Sequence, residues 1–439
     1  MELTIGFILS FMILIYGIFK DIYIGYSLSI SFMIFFIIAY RLGSKPKDIL
    51  QKAWLGGKKA FIVLRIFLLI GLVTASWLSA GTIPAIVYYS MKIMNPRYFI
   101  VFAFLTSSLV SYMLGTSFGT ASTIGIVLII MAKSGSINLS LVGGAILSGC
   151  YFGDRASPMS SCANLVSNLT ESKLYPMLKN FRKTTIIPFA LVTTIYLIFS
   201  FSNPLDMVGN RIIHDIQEYF VINFIILIPA LTMLFLSVIQ IDVKKSMIIS
   251  IILGSIISIS IQNVSFINLF KNLALGYKLD SNNPLSNILK GGGLASMIKP
   301  AFVVFVSCSM SGILEKIGLF SKMRNLFSDV VTRKKLFLST AITSLITAAF
   351  GGNQSIAIVM TSQIMKDLYK KLKVDEYNLA TDISNTTVLF SPMIPWNIAN
   401  LLPATTMDVS PVKIVPYAFY LYTPFIINYI NLRRSERNS

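Results

Sequence analysis

Long apolar runs recur from one end of the chain to the other, separated by short polar segments. Those near residues 3–19, 22–40, 61–80 and 294–314 have the length that about 30 Å of hydrocarbon demands at ~1.5 Å per helical residue. The pattern predicts an all-α polytopic membrane protein with roughly 12–14 membrane segments, because a spanning helix satisfies its own backbone in lipid. A transmembrane β-barrel is excluded, since its strands alternate weakly over about ten residues. The run at the amino terminus has no basic leader and no small-residue cleavage site, and a second run follows at once. It therefore reads as a first transmembrane helix rather than a signal peptide.

Two stretches break the apolar pattern in the same way: "YFGDRASPMSSCANLV" at 151–166 and "SPMIPWNIAN" at 391–400. Pro158, Pro392 and Pro395 lack an N–H and push the preceding residue away from helix, and Gly153 is permissive. The spacing predicts interruptions near 153–161 and 391–397, each flanked by half-helices. Broken backbone survives at membrane depth only where protein buries it or where it lines a wet cavity.

The breaks belong to a longer repeat. "SAGTIP" at 79–84 precedes "GTSFGTAST" at 115–123 and then the first break; "SMSGIL" at 309–314 precedes "AAFGGNQS" at 348–355 and then the second. Phe118 to Ser157 is 39 positions and Phe350 to Ser391 is 41. Loop charge orients the halves. Arg41, Lys45, Lys47, Lys52, Lys58 and Lys59 precede the span at 61–80, whereas Lys316, Lys322, Arg324, Arg333, Lys334 and Lys335 follow the span at 294–314. Basic loops face the cytoplasm, so the two spans run in opposite directions. This is the signature of inverted-topology repeats in secondary transporters. The expected organisation is two amino-terminal helices and a cytoplasmic loop (1–59), a first repeat (60–202), connecting helices and loops (203–293), and a second repeat with a basic tail (294–439). Lys173, Lys179, Arg182 and Lys183, then Lys366, Lys370, Lys371 and Lys373, and finally Arg433, Arg434 and Arg437 fall inside on this count. Both termini are then cytoplasmic, in a protein of the cell membrane. The hydrophilic stretches 203–219 and 263–293 read as outer loops, with His214 in the first.

Composition agrees: 55% of residues are hydrophobic, 13% are charged and the mean hydropathy is +0.74, where soluble domains carry about 25% charge. The net charge of +19 reads as basic cytoplasmic loops. No basic–aromatic interleaving points to nucleic acid, and the expected partners are membrane lipid and a small ion or solute. Cys150, Cys162 and Cys308 have no metal-ligand spacing, so neither a disulfide nor a zinc site is expected. With one histidine and no catalytic constellation, an enzyme has no support and no cofactor is expected.

The interruptions carry the candidate chemistry. Asp154 is the acid of the first break, and an intramembrane carboxylate marks a functional site by default. It would bind Na⁺ or a proton; the structural alternatives are pairing with Arg155 and capping the next half-helix. Ser157, Ser160, Ser161 and Asn164 offer oxygens beside it, as cation ligands or as helix–helix contacts. Thr116, Ser117 and Thr120 are the candidates of the first glycine run, and Asn353 and Gln354 those of the second. Asp382, Ser384, Asn385 and Thr386 precede the second break, and Asn397 lies inside it. Paired breaks in corresponding places point to a substrate site between them.

At "SGCYFGDRASPMSSCANL" and "NTTVLFSPMIPWNIAN" the chain resembles the NhaC-type sodium/proton antiporter family, whose members read like YFGDKxSPLSDTTNL and G-T-V-x-SPLIPWN. "WLSAGTIP" (77–84) and "GTSFGTASTIGI" (115–126) are similar to it as well, and the resemblance spans roughly 60–200 and 295–430. It implies an elevator-type transporter with a scaffold, a moving domain of broken helices and hairpins, and a homodimer. Members exchange Na⁺ for protons, and some exchange organic acids such as malate and lactate. Two departures remove acids. Ser161 stands where the family has Asp, and Ser384–Asn385 where it commonly has Glu-Asp. "SNT" at 384–386 is similar to the Ser-Asn-Thr tips of dicarboxylate carriers in the same superfamily. The implied function is antiport of Na⁺ or a small solute against H⁺ or another ion. The alternative is an ion-coupled carrier of a small organic acid or amino acid, and an ion channel is the rival class.

Overall fold

The apolar runs become helices in the computed structural model, which describes residues 2–20, 22–58, 60–93, 95–135, 137–204, 209–239, 241–280, 283, 285–286, 289–318 and 332–438. Among these residues there is no strand beyond an isolated bridge between Tyr277 and Gly291. Among the described residues, four helical stretches have the length and apolarity to cross a membrane: Ile24–Arg41, Pro96–Leu114, Thr184–Ser202 and Leu294–Lys316. A fifth, Leu64–Ser79 with Thr82–Tyr89, is bent by 68°. Phe19, Tyr26, Leu109, Ile198 and Phe235 stand exposed along the helices, as lipid allows and water does not. The chain is a multi-pass α-helical membrane protein. Lys59, Lys322 and Arg324 of the charge argument lie outside the described residues, as do the side chains of Lys183, Arg433, Arg434 and Arg437.

Helices α1 (Glu2–Phe19) to α3 (Pro46–Lys58) are followed by the bent pair α4 (Phe61–Ser79) and α5 (Thr82–Ile93). Next come α6 (Phe99–Leu114), α7 (Ser117–Thr120), a π-helical turn at Ala121–Gly125, α8 (Ile126–Ser134), α9 (Leu139–Ala156), α10 (Ser161–Thr170), α11 (Leu174–Asn180) and α12 (Arg182–Ser202). The middle of the chain holds α13 (Gly209–Tyr219), α14 (Ile228–Val238), α15 (Val243–Ser260) and α16 (Phe266–Leu275). The last part holds α17 (Ile298–Lys316), α18 (Arg333–Gly351), α19 (Gln354–Lys371), α20 (Glu376–Asn385), α21 (Thr387–Phe390), α22 (Ile398–Thr406) and α23 (Thr423–Asn438). The stretches expected as loops therefore contain helices. His214 lies on α13, where Ile216 and, just past the helix end, Phe220 are buried one helical turn apart, and Leu269 of α16 is buried too. Length alone hid these short amphipathic helices.

The same turn occurs twice. Gly115 ends α6 in the left-handed conformation (φ 65°, ψ 25°) and Thr116 follows extended (φ −148°, ψ 125°), its hydroxyl accepting the Gly119 N–H. Gly352 ends α18 at φ 67°, ψ −10°, and Asn353 follows at φ −142°, ψ 135°, its side-chain Oδ1 accepting the Ser355 N–H. Each turn makes a hairpin of two helices, α6 with α7–α8 and α18 with α19. Glycine takes this φ without the Cβ penalty, and the next residue caps the returning helix.

A third helix lies parallel to the first of each hairpin. Ser111 on α6 donates to the Cys150 carbonyl of α9 at 2.5 Å, and Ser157 donates to the Tyr112 carbonyl at 2.6 Å. In the second half, Arg333 pairs with Asp382 near the start of α18, and Ser344 bonds Thr386 and Thr387 further along. Gly153 serves this close approach: a Cβ there would fall 2.2 Å from the Ser111 carbonyl carbon. Helix α9 accordingly runs through Gly153 to Ala156, and the interruption is only 157–160, narrower than the expected 153–161. Pro158 disfavours helix at Ser157 alone, and Gly153 packs rather than breaks.

Candidate functional site

Asp154 occupies the last turn of α9 and is 3% exposed. Its Oδ2 accepts from the Ser117 hydroxyl and its Oδ1 from the Ser160 hydroxyl, both at 3.2 Å. Ser160 also faces the backbone carbonyl of Asp154 and accepts the N–H groups of Cys162 and Ala163, which caps α10. The side chains of Cys162 and Gln354 reach the carboxylate as well. The Cys162 thiol donates to Gln354 Oε1 at 3.3 Å, and Gln354 Nε2 donates to the Val388 carbonyl at 2.9 Å. A chain of polar contacts thus leads from Asp154 across α10 and α19 to α21. The capped first turns of α10 and α19 meet here, and the positive ends of their helix dipoles favour negative charge. The carboxylate, the serine hydroxyls and the amide oxygen are hard oxygen donors of the kind that hold Na⁺.

The half-helices around this point run in pairs. Helices α10 and α19 start together at Cys162 and Gln354, and at the far end of α10 Lys366 of α19 meets the Leu169 carbonyl at 3.2 Å and Glu171 at 2.8 Å. Near the start of α22, the Tyr151 hydroxyl bonds the Ala399 carbonyl and lies against Ser117 of α7; at the far ends Lys133 and Asp408 pair at 2.7 Å. Glu171 and Lys366 line a cavity of about 290 Å³, and Lys133 and Asp408 line another of about 510 Å³. Lys366 and Lys370 hold the Glu171 carboxyl below its ordinary range, the Lys366 hydrogen bond acting most strongly.

Arg155 does not pair with Asp154. It is 1% exposed and points away, towards α12 and α20. Nη1 donates to Thr185 at 2.9 Å and to the Tyr420 hydroxyl at 3.0 Å; Nη2 donates to Thr184 at 3.0 Å and to Asn385 Oδ1 at 2.5 Å. The guanidinium also lies 5.1 Å from the centre of the Phe181 ring. Arg155 Nε and Asn385 Nδ2 are buried without an acceptor. Sequence reasoning weighed Arg155 only as a partner for Asp154. A charged residue beside the acid in the break was the one available signal.

The remaining candidates are distributed elsewhere. Asp382 forms a buried ion pair with Arg333 at 2.6 Å, accepts from Tyr369 at 2.6 Å and from Asn428 at 2.9 Å, and shares no partner with Asp154. Thr386 donates to the Asp382 carbonyl at 2.6 Å, and Ser384 is buried on the same helix end. Asn397 caps α22 and donates to the Ala348 carbonyl at 2.7 Å. Thr116 and Asn353 are the hairpin caps, and Thr120 returns to the Thr116 carbonyl at 2.9 Å. Ser157 holds α9 to α6. Ser161 and Asn164 stand on the exposed face of α10, where Asn164 donates to the Ser160 carbonyl. The structure therefore brings Asp154, Ser117, Ser160 and Gln354 together, adding Cys162, and joins Asn385 to Arg155.

The model of the Na⁺/H⁺ antiporter family matches residues 149–432. The chain is 26% identical to the malate-2H⁺/Na⁺-lactate antiporter of Bacillus subtilis, covering 92% of this chain and 88% of that protein. It is 25% identical to the Na⁺/H⁺ antiporter NhaC of Alkalihalophilus pseudofirmus, over 86% and 83% of the two chains. With the arginine/ornithine antiporter ArcD of Halobacterium salinarum the identity is 28%, over 84% and 77%.

Proposed function

The chain belongs to the Na⁺/H⁺ antiporter family, and we propose that it exchanges Na⁺ or a small solute against H⁺ or another ion at a site centred on Asp154. It is a secondary active antiporter of the membrane, not an enzyme, and it needs no cofactor beyond the ions it moves. One observation carries the assignment of the site. Asp154 is buried, held by hydroxyls from both sides of the first breaks, and linked through Cys162 and Gln354 to the second half. One carboxylate that takes either Na⁺ or a proton makes the two compete, and competition at a site open to each side in turn is exchange. Ser117, Ser160 and Gln354 complete the oxygen set. Asn385 belongs to the neighbouring cluster around Arg155, and Thr116, Thr120, Ser157, Asn353 and Asn397 shape the breaks.

Residues 60–202 and 294–439 act as inverted repeats in this reading. What supports it is the recurring glycine turn, the parallel third helix in each half, and the reciprocal ion pairs. Glu171 follows the half-helix after the first Ser-Pro-Met and meets Lys366 of the second half; Asp408 follows the half-helix after the second and meets Lys133 of the first. The hairpins and half-helices form the moving element of an elevator, and the helices of 1–59 and 203–293 its scaffold and homodimer contact. Both termini lie in the cytoplasm, as loop charge directs.

Counterflow of ²²Na⁺ in proteoliposomes, with and without a pH gradient, tests the site. Asp154→Asn should abolish coupled flux in a protein that still purifies as a single species. Coupled flux at the native rate would remove Asp154 from the ion path. The carrier of small organic acids or amino acids is the second reading, and the surroundings of Arg155 favour it.

A further inference from the structure

We infer that Arg155 and Asn385 form the subsite that receives a carboxylate of the transported solute, which makes that solute a small organic anion. The inference rests on the reading of the breaks around Asp154 as the transport site. A guanidinium cannot shed its proton, so Arg155 carries its charge wherever it sits. It sits fully inside the protein, and its partners are two threonines, a tyrosine and an amide, all neutral. A buried charge without a counter-charge is strongly unfavourable, and a single anion arriving beside it relieves that.

Two donors mark where the anion goes. Arg155 Nε and Asn385 Nδ2 are both buried and lack acceptors, while the other end of the same amide is bonded to Arg155 Nη2. The unpaired donors thus belong to one hydrogen-bonded pair. A planar carboxylate, with two oxygens to offer, suits such a pair better than a spherical ion, and arginine recognises carboxylates by parallel N–H groups. Arg155 comes from the end of α9 and Asn385 from the end of α20, so one bound carboxylate ties the two halves together.

The position also couples anion to cation. Asp154 and Arg155 are neighbours on α9 whose side chains have separate sets of hydrogen-bond partners. An ionised Asp154 offsets Arg155 through space. When Na⁺ binds at Asp154, the region is left net positive and the pull on a carboxylate grows. Anion and cation then enter in cooperation.

The test uses the purified full chain, with thermal shift and proteoliposome counterflow as readouts. Lactate, malate and an α-amino acid are the probes, with chloride as the spherical control and Na⁺ varied. Wild type should be stabilised by at least one carboxylate more strongly with Na⁺ than without, and should exchange it. Asn385→Asp places a carboxylate against the guanidinium at nearly constant volume. It should weaken the response to the solute about tenfold or more, with the Na⁺ response retained. Arg155→Lys, which keeps the charge and deletes Nε, should raise the half-saturating solute concentration. A wild type that answers Na⁺ through Asp154 but ignores every carboxylate, or answers chloride alone, overturns the inference and leaves the Asp154 site standing. So does an Asn385→Asp protein that carries the solute as wild type does. A Na⁺ response that survives Asp154→Asn overturns both.

Discussion

Replacing Asp382 by Leu separates a clamp from an ion ligand. The carboxylate is 1% exposed and receives bonds from Arg333 (2.6 Å), Tyr369 (2.6 Å) and Asn428 (2.9 Å), which come from α18, α19 and α23. Each bond to a charged group contributes about 1.5–3 kcal/mol. Tyr369 keeps Thr340 as a partner, and Arg333, 22% exposed, can recruit water. The net loss should therefore sit near the lower end of the range for breaking a buried pair, about 3 kcal/mol. Removing both charges together, in Asp382→Leu with Arg333→Met, should recover at least about 1 kcal/mol of it, because no guanidinium is then left unpaired. Equilibrium unfolding in detergent micelles measures both variants, and ²²Na⁺ counterflow measures function. The reasoning fails if the single variant loses less than about 1 kcal/mol, or if the double variant is no more stable than the single. If the double variant folds well but carries no Na⁺, Asp382 returns to the ion path.

Gly115→Ala should destabilise by about 1–2 kcal/mol in the same unfolding assay, because the left-handed residue would place a Cβ 2.4 Å from the Met159 backbone; Gly43→Ala, whose Cβ would meet nothing, isolates the clash from the cost of positive φ. Acidification reads out Glu171. Its folded value is lowered by Lys366, so the contact stabilises fully at neutral pH and fades only as the pH falls through that lowered value, below the ordinary ~4.3. Thermal unfolding of wild type and Lys366→Gln should keep a constant offset from pH 7 to about pH 5 and converge under stronger acid; an offset that grows on acidification contradicts the pairing.

Hydropathy and proline are local properties, and what depends on them was legible. The apolar runs at 22–40 and 294–314 became the spans Ile24–Arg41 and Leu294–Lys316. Pro158 and the Pro392–Pro395 pair mark real interruptions. Asp154 stood out as an acid in an apolar chain, and the absence of family acids at Ser161 and Asn385 was equally plain. Short helices such as Gly209–Tyr219 escaped because their length says nothing of a span and their periodicity is brief.

Which side chain meets which is a different kind of fact. Successive residues on a helix point about 100° apart, so Asp154 turns to Ser117, Ser160 and Gln354 while Arg155, next to it, turns to Thr184, Tyr420 and Asn385. Adjacency in the chain suggested an ion pair that the rotation of α9 forbids. Ser161 and Asn164 share a break with Asp154 yet face outward, and Asp382 finds Arg333 because α18 and α20 lie parallel. Covalent order determined where the helices stop and which charges the membrane must hold; the packing angle of each helix against its neighbours decided which of those charges are ion-paired, as Asp382 is with Arg333, and which, like Arg155, meet neutral partners.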